Sequence, residues 1–211
     1  MEKLIELKSV AAPLMEDAID TDVIFPARFL LLLERDGLGR YAFNERRGGS
    51  EPFILDQPPY DKAQILVTGE TFGTGSSREQ AVWALADLGI RCVIARSFGE
   101  IFYSNCFKNG VLPIRLRGDE MAHIETAAEA GEEITIDLPA QEIRVADTTI
   151  AFDLDANRKR ALMAGLDEIC TILSDDADAI AAYEKRRASE TPWLVLAPEQ
   201  FGQIKTEEDA A

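Results

Sequence analysis

Apolar positions in the middle third of the chain alternate between two kinds of spacing. Residues 64–69, Gln-Ile-Leu-Val-Thr-Gly, form a short apolar run of strand type, and residues 77–88 then carry Val82, Leu85, Ala86 and Leu88 at helical spacing. The alternation repeats: 91–95 predicts a strand, 99–108 a helix, 112–116 a strand and 119–130 a helix. Strands and helices in that order build a parallel sheet through right-handed crossovers. After Gly131 the period changes. Glu133-Ile-Thr-Ile-Asp-Leu138 and Glu142-Ile-Arg-Val145, joined by Pro139-Ala-Gln, predict an antiparallel pair, and 152–154 predicts a further strand. Helices resume at 156–164 and 175–187; the latter opens on Asp175 and closes on Lys185, Arg186 and Arg187, charges that match the helix dipole. The predicted class is α/β: a mixed, largely parallel central sheet flanked by helices, with a C-terminal helical extension.

Between these elements, residues 44–61 are rich in Gly, Pro and charge and predict a long surface loop, a kind of segment that often serves a site. The four leucines 30–33 read most simply as core, with a pocket lining or a contact between subunits as the alternative. The tail 205–211 is acidic and predicts disorder. With 211 residues and 46% hydrophobic content, the chain can bury one good core, as one domain with an appendage or as two small ones.

Charge narrows the partners. Against 22 basic residues stand 38 acidic ones, a formal net charge of −16, which opposes nucleic acid and anionic membranes but leaves room for a local anion site. Cys92, Cys106 and Cys170 are widely spaced in apolar or helical stretches, as expected of reduced, packed thiols, and no Cys-x-x-Cys pair suggests a metal. The polar start Met1-Glu-Lys-Leu-Ile-Glu is unlike a signal peptide, and no apolar run approaches the ~20 residues of a membrane span, so a cytoplasmic protein is expected.

The candidate chemistry centres on Gly69-Glu-Thr-Phe-Gly-Thr-Gly-Ser-Ser-Arg-Glu79, a glycine turn between a strand and a helix. Gly73 and Gly75 permit a sharp turn and a close backbone approach, and Ser76 or Ser77 can cap the helix, whose free N–H groups favour an anion. Arg78 placed in a first helical turn opposes the dipole unless a carboxylate or phosphate docks beside it. The plainer reading, a serine cap followed by a solvated Arg-Glu pair, carries about equal weight on this pattern. A Rossmann fingerprint is excluded because Arg78 takes the place of its third glycine, and a P-loop because Gly-Lys-Ser/Thr is missing. The lone His123 lies in a polar helical stretch, which leaves no base for a serine-hydrolase triad. Near the N-terminus, Asp20, Thr21 and Asp22 precede a short apolar segment, Val23-Ile-Phe-Pro26, that predicts a strand; taken alone, the two carboxylates and the hydroxyl most simply cap a turn. Arg35 sits in a glycine-punctuated turn after the leucines.

Taken together, Asp20-Thr-Asp-Val-Ile-Phe-Pro26, Phe72-Gly-Thr-Gly-Ser-Ser-Arg-Glu79, Ala81-Val-Trp-Ala-Leu85, Ser97-Phe-Gly-Glu-Ile-Phe102 and Asn109-Gly-Val-Leu-Pro113 resemble the small subunits of 3-isopropylmalate dehydratase. These correspond to the swivelling β/β/α domain of the aconitase superfamily. The likeness runs from about Leu7 to Tyr183, and implies a swivel domain over 1–188 with an extension and acidic tail at 189–211. It further implies a hydro-lyase subunit of leucine biosynthesis that interconverts 2- and 3-isopropylmalate by dehydration and rehydration. By this resemblance Ser76 is the catalytic base, Ser77 and Arg78 hold a substrate carboxylate, Asp22 and Thr21 orient groups at the interface between subunits, Arg35 is a second carboxylate contact in the substrate-selecting loop, and Gly73 and Gly75 shape the turn. It implies no metal or cofactor on this chain, a 4Fe-4S cluster in a large partner subunit, a heterodimer or heterotetramer, and no activity for the chain alone. Thr74 and Gln80 depart from the family's usual Cys and His. Those departures keep open a paralogue acting on citraconate, 2-methylmalate or another substituted malate, and beside it a non-catalytic anion-binding module.

Overall fold

Residues 1–32, 34–47, 49, 51–75 and 78–194 are described by the computed structural model. The chain divides into two compact units, Met1–Glu168 and Ile169–Ala211. The first is built on a seven-stranded mixed sheet of order β4-β3-β2-β1-β5-β6-β7. Its strands are β1 (Glu6–Leu14), β2 (Ile65–Thr68), β3 (Cys92–Ala95), β4 (Leu112–Arg115), β5 (Glu133–Asp137), β6 (Glu142–Val145) and β7 (Thr148–Ala151). Strands β1 to β4 are parallel neighbours, whereas β1 to β5, β5 to β6 and β6 to β7 are antiparallel.

The two halves of the sheet bury themselves differently. Every residue of β2 and β3 is buried, and the side chains divide between two cores: Leu66 and Val93 join one, Ile65, Val67, Cys92 and Ile94 the other. That continuous apolar run is what a parallel strand covered on both faces requires. Helices α3 (Gln80–Asp87) and α4 (Glu100–Lys108) contribute to the first core, and α5 (Gly118–Glu129) and α6 (Ala156–Ala164) to the second. The antiparallel half alternates instead, sending Ile134, Ile136, Ile143, Val145 and Ile150 into the second core only.

Several elements differ from expectation. The central strand β1 is not foreseen by the apolar pattern: its first half alternates Glu6, Leu7, Lys8 around Ser9, and Pro13 argues against a central strand. Pro13 is tolerated because β5 covers only Glu6–Val10, so beyond Val10 no ladder bond is needed on that side. The last strand lies at Thr148–Ala151, earlier than 152–154, where Phe152 and Leu154 are buried after the strand has ended. Val23 to Phe25 is no strand, because Asp20 caps a one-turn helix, α1 (Thr21–Ile24), by accepting from the Val23 N–H at 2.8 Å. Segment 44–61 holds a short helix, α2 (Asn44–Arg47), and two 3-10 turns, Ile54–Asp56 and Tyr60–Lys62, with Phe53 and Leu55 buried. Of the leucines, Leu30 is partly buried and packs against the first core as expected, whereas Leu31 is 90% exposed and Leu32 36% exposed, so these two do not join it; the chain there turns on the surface after a 3-10 turn at Ala27–Phe29. Leu33 lies outside the described residues.

The second unit carries most of α7 (Glu168–Asp175), the longer α8 (Ala177–Glu190) and a 3-10 turn at Pro192–Leu194. Tail 205–211 lies outside the described residues.

Candidate active site at the carboxyl edge of the parallel strands

The loops that follow β1, β2 and β3 are laced together by main-chain bonds. The Gly69 N–H donates to Glu16 O at 3.1 Å, Ala18 N–H to Glu70 O at 2.7 Å, and Arg96 N–H to Gly69 O at 3.2 Å. Farther along, Gly73 N–H donates to Ile19 O at 2.7 Å and Thr21 N–H to Thr74 O at 3.0 Å, so the Asp-Thr-Asp turn and the glycine turn form one surface. In open α/β sheets the carboxyl ends of the strands are where ligands bind.

Gly73 is required twice over. Its φ is +70°, and a Cβ there would enter the Phe102 ring at the start of α4. Phe72, Phe98 and Phe102 form the floor, with Phe72 edge-on to Phe102 at 5.3 Å and Phe98 stacked with Phe102 at 6.4 Å. Gly99 completes the close approach, since a Cβ on it would stand 2.6 Å from Gly73 O. Gly75, at φ +96°, lies over Asp20 and Thr21: its Cβ would fall 3.5 Å from Asp20 Cβ and 3.7 Å from Thr21 Oγ1.

Above this floor Arg78 Nη1 donates to Asp22 Oδ1 in an ion pair, with Arg78 about a quarter exposed and Asp22 about half exposed. Thus Asp22 and Arg78, predicted from separate motifs, meet. Thr21 is buried beneath the turn. Ser76 and Ser77 lie outside the described residues. Helix α3 begins at Gln80, not at 77, so Arg78 precedes its first turn and does not oppose the dipole within it. The N-cap is Glu79, whose side chain makes no capping bond because it turns to Asn109, accepting from Nδ2 at 2.8 Å.

Arg35 is placed elsewhere. Its guanidinium lies 4.4 Å over the Trp83 ring and donates to Asn109 Oδ1 at 3.4 Å, beside a cavity of about 250 Å³ that Asp87 and Lys108 also line. Residue pattern alone assigns Glu79, Trp83 and Asn109 no role. Their only mark is a place inside segments that carry the resemblance.

No set of ligands for a metal or cluster is formed: among the described residues no three His, Cys, Asp or Glu side chains gather. Cys92 and Cys106 are fully buried, and burial pushes both thiols well above their ordinary pKa. His123 is exposed on α5. Among the described residues, no helix is long and apolar enough to cross a membrane.

Comparison with known proteins bears on the family and the fold. The family model for the aconitase C-terminal domain matches residues 1–119, and that for the C-terminal domain of the 3-isopropylmalate dehydratase small subunit matches 175–197. The chain is 50% identical over 201 residues to the 3-isopropylmalate dehydratase small subunit of Rhodopseudomonas palustris (strain HaA2), covering 92% of this chain and 100% of that one. It is 49% identical over 202 residues to the protein of the same name from Xanthobacter autotrophicus, with the same coverage. Among solved structures, a 3-isopropylmalate dehydratase (leuD) from Methanocaldococcus jannaschii superposes with a TM-score of 0.64 at 29% identity, over 85% of this chain and 99% of that one. Near-complete coverage by relatives at about half identity, together with a solved relative of the same fold, establishes that the chain belongs to the 3-isopropylmalate dehydratase small-subunit family, with the aconitase C-terminal swivel fold.

Proposed function

We propose that the chain is the small subunit of a 3-isopropylmalate dehydratase, a hydro-lyase that interconverts 2- and 3-isopropylmalate through a dehydrated intermediate in leucine synthesis. The observation that carries the reading to particular residues is the Asp22–Arg78 pair, set beside the Gly73–Gly75 turn at the carboxyl edge of the sheet. A guanidinium carries several N–H donors in a planar fork, so one that pairs with a carboxylate on one side can meet a substrate carboxylate on another.

In this reading Arg78 and Ser77 bind the carboxylate next to the reacting carbon, and Ser76 Oγ takes the proton from that carbon. Charge gathers on the carboxylate as the proton leaves, and Arg78 lowers the barrier by meeting it there. A free serine hydroxyl is a weak base, so water must be excluded, and the site is open until a larger subunit forms its other wall. Chemistry at the departing hydroxyl falls to that partner, to which the reading assigns a 4Fe-4S cluster. The assembly is then a heterodimer or heterotetramer, and its place is the cytoplasm.

The test is the complex reconstituted with the larger subunit, in which wild type is compared with Ser76→Ala. Loss of turnover with retained assembly and retained substrate KM is the expected result. A Ser76→Ala complex that turns over at the wild-type rate removes the proposed base.

A further inference from the structure

Arg35 belongs to an exposed turn, and such a turn does not by itself hold a long side chain in one place. Two contacts do so here, stacking on Trp83 and a hydrogen bond to Asn109. Asn109 closes α4, and its amide is used on every side: Nδ2 donates to the Asn105 carbonyl oxygen at 2.9 Å and to Glu79 Oε1 at 2.8 Å, while Oδ1 accepts from Arg35. An asparagine that merely capped α4 would need only the first of these bonds.

Glu79 gives something up for its part. A carboxylate at a helix N-cap is favoured by the free N–H groups and the dipole, yet the Glu79 side chain makes no capping bond and reaches Asn109 instead. Glu79 directly follows Arg78, and Trp83 lies one turn farther along α3. Both contacts of Arg35 therefore trace back to the opening turns of the helix that Arg78 precedes.

We propose that Glu79 and Asn109 are positioning residues that hold Arg35 against Trp83, where it meets a carboxylate of the diacid substrate. The inference rests on the functional reading above for the substrate and for the role of Arg35. An amide is the group the position needs: aspartate would set a second carboxylate against Glu79, and alanine would release Arg35 and Glu79 together. Glutamine at position 79 keeps the acceptor for Asn109 and loses only the charge.

Two measurements test it. In the complex with the larger subunit, Asn109→Ala and Glu79→Ala are expected to raise KM for 3-isopropylmalate about 10-fold, with kcat within about twofold and Glu79→Gln close to wild type. The double variant Arg35→Ala/Asn109→Ala should be no worse than Arg35→Ala alone, because both remove one interaction. In the full chain alone, Trp193→Phe leaves Trp83 as the sole tryptophan. Acrylamide quenching of Trp83 should then rise in Asn109→Ala as it does in Arg35→Ala. An unchanged KM in an active Asn109→Ala complex, or additive losses in the double variant, overturns the proposal. A wild-type complex inactive on 3-isopropylmalate counts against the functional reading, and the quenching then decides the positioning: a Trp83 indifferent to Asn109→Ala overturns it.

Discussion

At residue scale the site depends on a few positions where only one side chain type fits. Arg78 pairs with Asp22 and is assigned a substrate carboxylate, so Arg78→Ala is expected to lower kcat/KM by about 10²–10³-fold, the usual cost of removing a donor aimed at developing charge. Arg78→Lys should recover little of that loss, because an ammonium cannot reproduce the planar fork that spans two carboxylates. Steady-state kinetics of the two variants in the reconstituted complex check both statements. The role of Gly73 is structural, since alanine there meets positive φ and the Phe102 ring at once, and is expected to destabilise the chain by about 2–4 kcal/mol. Denaturant unfolding reads this directly, and a Gly73→Ala chain as stable as wild type would mean the turn is not built as described.

At element scale the sheet shows what sequence pattern conveys and what it does not. Strands β2 to β4 and helices α4 and α5 are legible because their apolar residues recur at a steady spacing bounded by turn residues. Strand β1 is not, since it pairs parallel on one side and antiparallel on the other, so no single period describes it, and Pro13 speaks against it locally. The one-turn helix α1 escapes for a similar reason: Asp20 reads as a turn cap, but four residues are too few for periodicity to separate helix from strand. In the candidate site, Gly73, Gly75 and Arg78 are legible from residue type and Asp22 only through the family resemblance, whereas Glu79 and Asn109 gain meaning only when α3 and α4 come together. The β5–β6 hairpin makes a pH prediction. Asp137 accepts from the Ala140 N–H at 2.9 Å and from Arg144 Nη2 at 2.7 Å, and the backbone bond first, then the Arg144 guanidinium, hold its carboxyl below the ordinary value. A pKa lowered by folding contributes stability at pH above the unfolded value of about 4, and that contribution is lost as pH falls through the lower folded value. Asp137→Asn should therefore lower the unfolding midpoint at neutral pH, with the gap to wild type closing in acid. A gap that stays constant with pH would show that the charge of Asp137 is not involved.

At the scale of the whole molecule, the chain belongs to a family of small subunits, and the proposed function makes a larger subunit its catalytic partner. Its buried thiols make one check on the fold: a thiol reagent should label only Cys170 in the native chain, because Cys92 and Cys106 lie in the core, and all three after denaturation. Labelling of three thiols without denaturant would contradict the packing of β3 and α4. Leu31, almost fully exposed beside the turn that carries Arg35, is suited to contact a partner. Leu31→Asp should leave the stability of the isolated chain within about 0.5 kcal/mol and weaken assembly with the larger subunit in a titration of the two. The central claim, that this chain completes a 3-isopropylmalate dehydratase, is tested most directly by anaerobic reconstitution with the larger subunit encoded in the same genome, following the unsaturated diacid formed from 3-isopropylmalate, 2-methylmalate and citrate. The account predicts turnover of 3-isopropylmalate ahead of the other two, and none by either subunit alone. A complex that assembles yet prefers 2-methylmalate or citrate, or leaves all three untouched, would contradict it.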